Sequence, residues 1–179
     1  AHPNIIASQA VLNGTGTLNI EPLATNFTSA ATTSADLLFS TGGGSLAGFN
    51  LGRAGNTANI TLNSMPAAIS VTGNQGYFGG NVTVPSNATA SFTAWSNGAN
   101  LTLSGITSVN ILAPISVTNA NSGIAIKTSQ NTTAGNNVGY YNFGLSETGF
   151  SGRIDFSGAT GQTFTTQDGT NSSNLKNYT

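Results

Sequence analysis

A four-residue pattern of Asn, apolar, Thr, apolar occurs three times, as Asn59-Ile60-Thr61-Leu62, Asn81-Val82-Thr83-Val84 and Asn100-Leu101-Thr102-Leu103, at spacings of 22 and 19 residues. Polar and apolar residues alternate within each copy, which sends Ile60 and Leu62 to one face of a strand and Asn59 and Thr61 to the other. A strand that recurs about every 20 residues cannot bury its apolar face alone; it does so by stacking on its counterparts one coil above and below. The pattern therefore predicts an all-β chain, folded as a solenoid with irregular hairpin and loop flanks.

The same alternation continues through Phe49–Leu51, Ile69–Val71, Phe92–Ala94, Val109–Leu112, Ile115–Val117 and Ile124–Ile126. Runs of three to five residues about every ten positions predict a coil of about 20 residues with two principal strands and two corners. Gly55-Asn56, Gly73-Asn74, Ser86-Asn87, Asn97-Gly98 and Asn121-Ser122-Gly123 fall between the runs and suit the corners, and Gly42-Gly43-Gly44 suits a loop. Strand candidates at Ile5-Ile6, Thr17–Ile20 and Leu37–Phe39 precede the regular region, and Ser34–Phe39 has room for one short helical turn at most. The expectation is one domain over residues 1–179, with regular coils at 49–130. An irregular flank at 131–179 gathers the aromatics Tyr140, Tyr141, Phe143, Phe150, Phe156 and Phe164.

Gly, Asn, Thr and Ser make up 92 of the 179 residues, and charged residues are only 5%, against roughly 25% in an average soluble domain. The formal net charge of -1 offers no basic field for phosphates, so nucleic acid is not an expected partner. No apolar run approaches the roughly 18 residues that span a bilayer. No basic, apolar signal segment is present, and Ala1 reads as a processed end or an arbitrary boundary. With no cysteine, neither disulfides nor thiolate chemistry contributes.

The side chains that could do chemistry are few. The acidic residues are Glu21, Asp36, Glu147, Asp155 and Asp168. None repeats at coil spacing, as a stacked catalytic carboxylate pair would require. Arg153 and Asp155, two apart on one strand face, suit a surface ion pair, and Lys127 has no acidic neighbour in sequence. His2 is the single histidine, too few for a triad or a histidine-built metal site. No catalytic, cofactor or metal site is expected.

Binding groups are easier to name. Trp95, Tyr140 and Tyr141 are the aromatics placed to stack on sugar rings, with packing against the coils as the competing role. Nine Asn-x-Ser/Thr sequons occur, at Asn13, Asn26, Asn59, Asn81, Asn87, Asn100, Asn131, Asn171 and Asn177, where composition alone predicts about six. Ladders of outward Asn and Thr account for most of them, while Asn87 and Asn131, at corners, are the candidates for N-glycosylation.

The segments Asn13–Ile20 and Gly48–Gly55, the latter leading into the Asn59 strand, resemble large exoproteins of the filamentous haemagglutinin class, as do Phe150–Phe156, Phe164–Gly169 and Asn177–Thr179. The resemblance implies a right-handed parallel β-helix, a stretch of a cell-surface or secreted adhesin exported through an outer-membrane secretion partner and serving attachment, aggregation or biofilm formation. It carries no catalytic residues over, and the Asn-Pro-Asn-Gly turn of the family's secretion-signal region does not occur here. The expected function is therefore a non-enzymatic structural and adhesive segment that meets host or cell-surface glycans, proteins or neighbouring cells. The alternatives are an extracellular filament subunit that self-assembles by strand addition through residues 1–12 or 171–179, and a polysaccharide-active β-helix enzyme.

Overall fold

Short stretches of Val, Ile, Leu and Phe interleaved with Asn, Thr and Ser suit half-buried strands. Strands are nearly all the regular structure in the computed structural model, which describes residues 10–66, 69–88, 94–95, 99–128, 140–143, 145–146, 149–150, 152–168 and 175–178. The protein is all-β. In chain order the first elements are β1 (Thr17–Ile20), β2 (Ala31–Thr32), α1 (Thr33–Asp36), β3 (Leu46–Gly52), β4 (Ile60–Thr61) and β5 (Val71–Val84). They are followed by β6 (Ala94–Trp95), β7 (Asn100–Ile111), β8 (Ile115–Val117), β9 (Gly123–Thr128) and β10 (Tyr140–Phe143). The last are β11 (Leu145–Ser146), β12 (Gly149–Phe150), β13 (Ile154–Phe156), β14 (Thr163–Asp168) and β15 (Leu175–Tyr178). The single helical turn begins one residue before the stretch that had room for it, and its Asp36 Oδ2 accepts the Thr32 N–H at 2.6 Å.

The strands form three parallel stacks. In the first, β1, β3, the start of β5, the start of β7, β9 and β14 lie side by side, followed by an antiparallel β15. The second holds β2, β4, the end of β5, the end of β7 and β10. The third holds β6, β8 and β13. From β5 to β14 the chain visits first, second and third stacks in that order and returns to the first each time, apart from the small β11–β12 hairpin. β5 and β7 each cross from the first stack to the second without a break, and the register shifts between Gly79 and Asn81 where they turn.

Alternation plus register turns the apolar positions into columns. Leu18, Phe49, Gln75, Leu101, Ile124 and Phe164 are in register in the first stack, as are Ile20, Leu51, Tyr77, Leu103 and Ile126. In the second stack the matching column is Ala31, Ile60, Val82, Val109 and Tyr141. Phe49, Leu51, Leu101, Leu103, Ile60 and Val82 are completely buried, and each such side chain contributes about 1.5–3 kcal/mol through burial. Phe39, Phe49 and Tyr77 form an aromatic file with ring centroids 6.4 and 6.0 Å apart.

Two expectations are corrected. The Asn59 and Asn81 copies of the repeat are neighbours, with Ile60 beside Val82 and Thr61 beside Thr83. The Asn100 copy does not continue that column: Leu101-Thr102-Leu103 lies in the first stack beside Gln75-Gly76-Tyr77, and Ser108–Ile111 follows the Asn81 strand. An inward apolar pair flanked by outward Asn and Thr suits either stack, so the motif marks a strand face and not a coil period. The spacings between neighbouring parallel strands are accordingly longer than 20 residues and unequal. Hydrogen bonds between neighbouring stretches join residues 22, 26, 27 and 31 apart along the chain, and 39 where the hairpin is inserted. Beyond residue 130, β10, β13 and β14 each continue one of the parallel stacks.

The corners divide. Gly55-Asn56, Ser86-Asn87 and Asn121–Gly123 turn as expected, whereas Gly73-Asn74 lies inside β5 at an irregularity opposite Leu46–Gly48. A Cβ on Gly73 would run into the Ala47 carbonyl oxygen, so this glycine permits close approach of β5 to β3 instead of a turn. Leu37 and Phe39 are buried without forming a strand. Ile5-Ile6, Phe92 and Asn97-Gly98 lie outside the described residues.

Candidate functional site

Asparagine and its neighbours on the outside of the stacks are largely occupied with one another. Asn59 Oδ1 accepts from the backbone N–H and the side-chain amide of Asn81 at 3.0 and 3.1 Å, and Asn81 Oδ1 accepts the Ser108 hydroxyl at 2.8 Å. Asn110 donates to Thr83 Oγ1 and Ser108 Oγ, and Asn50 donates to Asn19 Oδ1. Asn26, a sequon residue, accepts the Thr57 N–H at 2.7 Å. Asn56 is fully buried at a turn and bridges three stretches of the chain: its Oδ1 accepts from Phe27 and Ala58 N–H, and its Nδ2 donates to the Phe78 carbonyl. Asn56 thus satisfies backbone groups that would otherwise be unpaired, while the outer amides tie neighbouring strands together, and both tasks are architectural.

The sequence-derived binding residues are separated by the fold. Tyr141 stands beside Val109 in an inward column of the second stack and packs, half-buried, on the core. Tyr140, next to it in sequence, pairs with Ser108. Trp95 belongs to the third stack, in register with Val117, whose opposite neighbour is Phe156. Asn87 is exposed in a tight turn in which the Ala88 N–H donates to the Pro85 carbonyl at 2.9 Å, an accessible place for a glycan. Asn131 lies outside the described residues, as does Glu147.

The titratable groups are also dispersed. Arg153 Nε meets both carboxylate oxygens of Asp155, at 3.0 and 2.9 Å. Both side chains are about half exposed, so the pair is worth about 0–1 kcal/mol at most. Glu21 follows β1 on the surface, Asp36 is committed to α1, and Asp168 ends β14. Among the described residues no three His, Cys, Asp or Glu side chains gather as metal ligands, and no helix is long and apolar enough to cross a membrane. Among the described residues the strongly shifted group is the Tyr77 phenol, which burial pushes well above its usual range. Its O–H donates to Gln75 Oε1 at 2.8 Å within the inward columns, a structural contact.

What the fold brings together is an apolar cleft of about 370 Å³ at the C-terminal end of the stacks, lined by Phe143, Gly152, Arg153, Ile154, Phe156 and Phe164. Each of its walls comes from the last parallel strand of a different stack: β10, β13 and β14. Phe156 and Phe164 face each other with centroids 6.4 Å apart, and Phe156 is 39% exposed. The cluster of aromatics after residue 130 signalled this region, yet only the three-stack geometry shows that Phe143, Phe156 and Phe164 converge while Trp95 and Tyr140 belong to other positions. A second apolar cleft, of about 270 Å³, lies at the opposite end among Val11, Leu12, Leu18 and Leu46. No protein-family model, curated protein or solved structure matches the chain.

Proposed function

We propose that the chain is a right-handed parallel β-helix segment of a cell-surface or secreted adhesin, non-enzymatic, whose task is to hold a stiff, neutral rod and to meet surface glycans or proteins along it. The observation that carries this reading is the fixed order in which the chain visits the three parallel stacks, together with inward columns shared from coil to coil. A single hand follows from the right-handed preference of parallel crossovers. Coils joined by Asn and Thr contacts on the outside extend a molecule without needing charged surface, which agrees with 5% charged residues. The resemblance to filamentous haemagglutinin-type exoproteins adds an extracellular location and export through an outer-membrane partner. Tyr140 and Trp95 are the residues we propose for ligand contact, and Asn87 for glycan attachment, while Tyr141 packs on the core.

The test is retention of chain-coated beads on cell layers and on a panel of immobilised glycans. Retention above that of uncoated beads, reduced in Trp95→Ala or Tyr140→Ala, is the expected result. Beads that bind no better than uncoated ones contradict the adhesive role. Glycan cleavage that disappears in the combined Glu147→Gln, Asp155→Asn and Asp168→Asn variant would move the chain to the enzyme class.

A further inference from the structure

Register sets four residues side by side on the first stack: Gly52 of β3, Phe78 of β5, Ser104 of β7 and Lys127 of β9. Tyr77, Leu103 and Ile126, their neighbours in sequence, are buried in the inward column, and strand alternation leaves Phe78, Ser104 and Lys127 to the outer face. Arg53 follows Gly52 in a turn closed by the Asn56 N–H on the Arg53 carbonyl, and it lines a small cleft of about 50 Å³ with Phe78, Ser104 and Ile106. A Cβ on Gly76 would meet the Phe78 ring, so the ring lies back along the outer face of β5. Two of the chain's four cations, the exposed Arg53 and the half-buried Lys127, therefore stand at the two ends of one outward row. Among the described residues neither pairs with a carboxylate: Asp155 is taken by Arg153 on the third stack, and Glu21, which follows β1 beside the Gly52 end, makes no ion pair with Arg53.

We propose that this row binds an acidic glycan, a sugar chain that carries carboxylate or sulfate groups. The inference rests on the adhesive reading and gives its ligand a chemical class. Charge complementarity carries it: on a chain with 5% charged residues, two unpaired cations on one face set up a local positive field for an anionic partner. The strands of Gly52 and Lys127 are three steps, about 14 Å, apart, so a single small anion cannot reach both ends and an extended chain can. Two cations are too few for nucleic acid, whose binding rests on neutralising many phosphates. What stands between the charges suits sugar. The Phe78 ring offers an apolar face to the C–H side of a pyranose, and the outward hydroxyls of Ser104 and Thr102 can exchange hydrogen bonds with ring hydroxyls. The Arg53 guanidinium presents paired donors to a carboxylate or sulfate, and Lys127 a point charge.

The test measures binding of the full chain, at low ionic strength, to four immobilised polymers: polygalacturonate, dextran sulfate, unmodified dextran and polyglutamate. The wild-type chain should bind at least one of the two acidic glycans and neither dextran nor polyglutamate, and the binding should fall as salt rises. Binding to polygalacturonate names carboxylate as the recognised group and binding to dextran sulfate names sulfate; either supports the proposal. Arg53→Gln and Lys127→Gln, both surface changes that should leave the urea midpoint unaltered, should each weaken binding about fivefold, and Phe78→Ala should weaken it by a similar factor. No binding to either acidic glycan, equal binding to dextran or polyglutamate, or Arg53→Gln and Lys127→Gln variants that bind like the wild type overturns the proposal. Retention of chain-coated beads on cell layers or neutral glycans, with none on acidic glycans, counts against this row alone. Absence of retention on every surface counts against the adhesive reading as well.

Discussion

Leu101 and Leu103, in the middle of the stack, are wholly buried, whereas Phe156, on the last strand of the third stack, is 39% exposed beside an open cleft. Both regions alternate in the same way and both are paired in parallel register. The difference is what lies beyond. In β7 the strand is paired on both sides, so Leu101 and Leu103 lose all their water; β13 is paired with β8 alone among the described strands, and Phe156 keeps part of its water. Stability in such a stack is a sum of strand and neighbour terms, so the middle should dominate the folding free energy.

The largest effect expected is in the middle. Phe49→Ala removes the centre of the aromatic file with Phe39 and Tyr77 and should cost about 3–5 kcal/mol in urea denaturation. Asn56→Ala comes next. It leaves the Phe27 and Ala58 N–H groups and the Phe78 carbonyl without their partner, a loss of about 2–4 kcal/mol. Alkaline pH should also act on the middle, through Tyr77. Burial raises its folded-state phenol above the unfolded value, so its stabilising contribution is complete below about pH 10 and is lost as pH rises further, at about 1.4 kcal/mol per pH unit. Tyr77→Phe should flatten that slope in a pH series of unfolding free energies. Thr83→Ala, on the outside, removes the acceptor of the Asn110 amide and should cost about 0.5–1.5 kcal/mol. Phe156→Ala should change stability least, by less than about 1 kcal/mol. If Phe156→Ala proves as damaging as Phe49→Ala, the distinction between middle and end fails.

Faces were legible in the sequence, and strand spacings were not. Alternation identified Phe49, Leu51, Ile60, Leu62, Leu101, Leu103, Ile115, Val117, Ile124 and Ile126 as inward, and all are buried. The three copies of the Asn-x-Thr strand suggested one column because the local requirement is the same on each stack; which strand lies beside which depends on the length of chain between paired strands, and connections of unequal length hide that. The long strands β5 and β7 were read as several short runs, with Gly73-Asn74 taken as a corner within what is β5. The Cβ positions of Gly73, Gly80 and Gly105 are instead filled by neighbouring strands or by nearby residues, the Ala47 carbonyl beside Gly73, the Thr57 carbonyl beside Gly80 and Ser108 beside Gly105. The C-terminal cleft was only half legible. Its aromatics were conspicuous, yet Phe143, Ile154 and Phe164 meet only because β10, β13 and β14 end three different stacks.

Register is the central claim, and a chain without cysteine allows it to be tested by paired cysteine substitutions. Thr61 and Thr83 are in register, as are Thr83 and Asn110, whereas Thr102 lies in the first stack beside Gly76. In-register neighbours of a sheet have Cα atoms about 4.8 Å apart, within the roughly 4.4–6.8 Å that a disulfide accepts. Under mild oxidation, Thr61→Cys with Thr83→Cys and Thr83→Cys with Asn110→Cys should bridge within one molecule, and Thr83→Cys with Thr102→Cys should not. Bridging of the Thr83→Cys, Thr102→Cys pair, with the other two unbridged, would restore the simple repeat and contradict the three-stack arrangement.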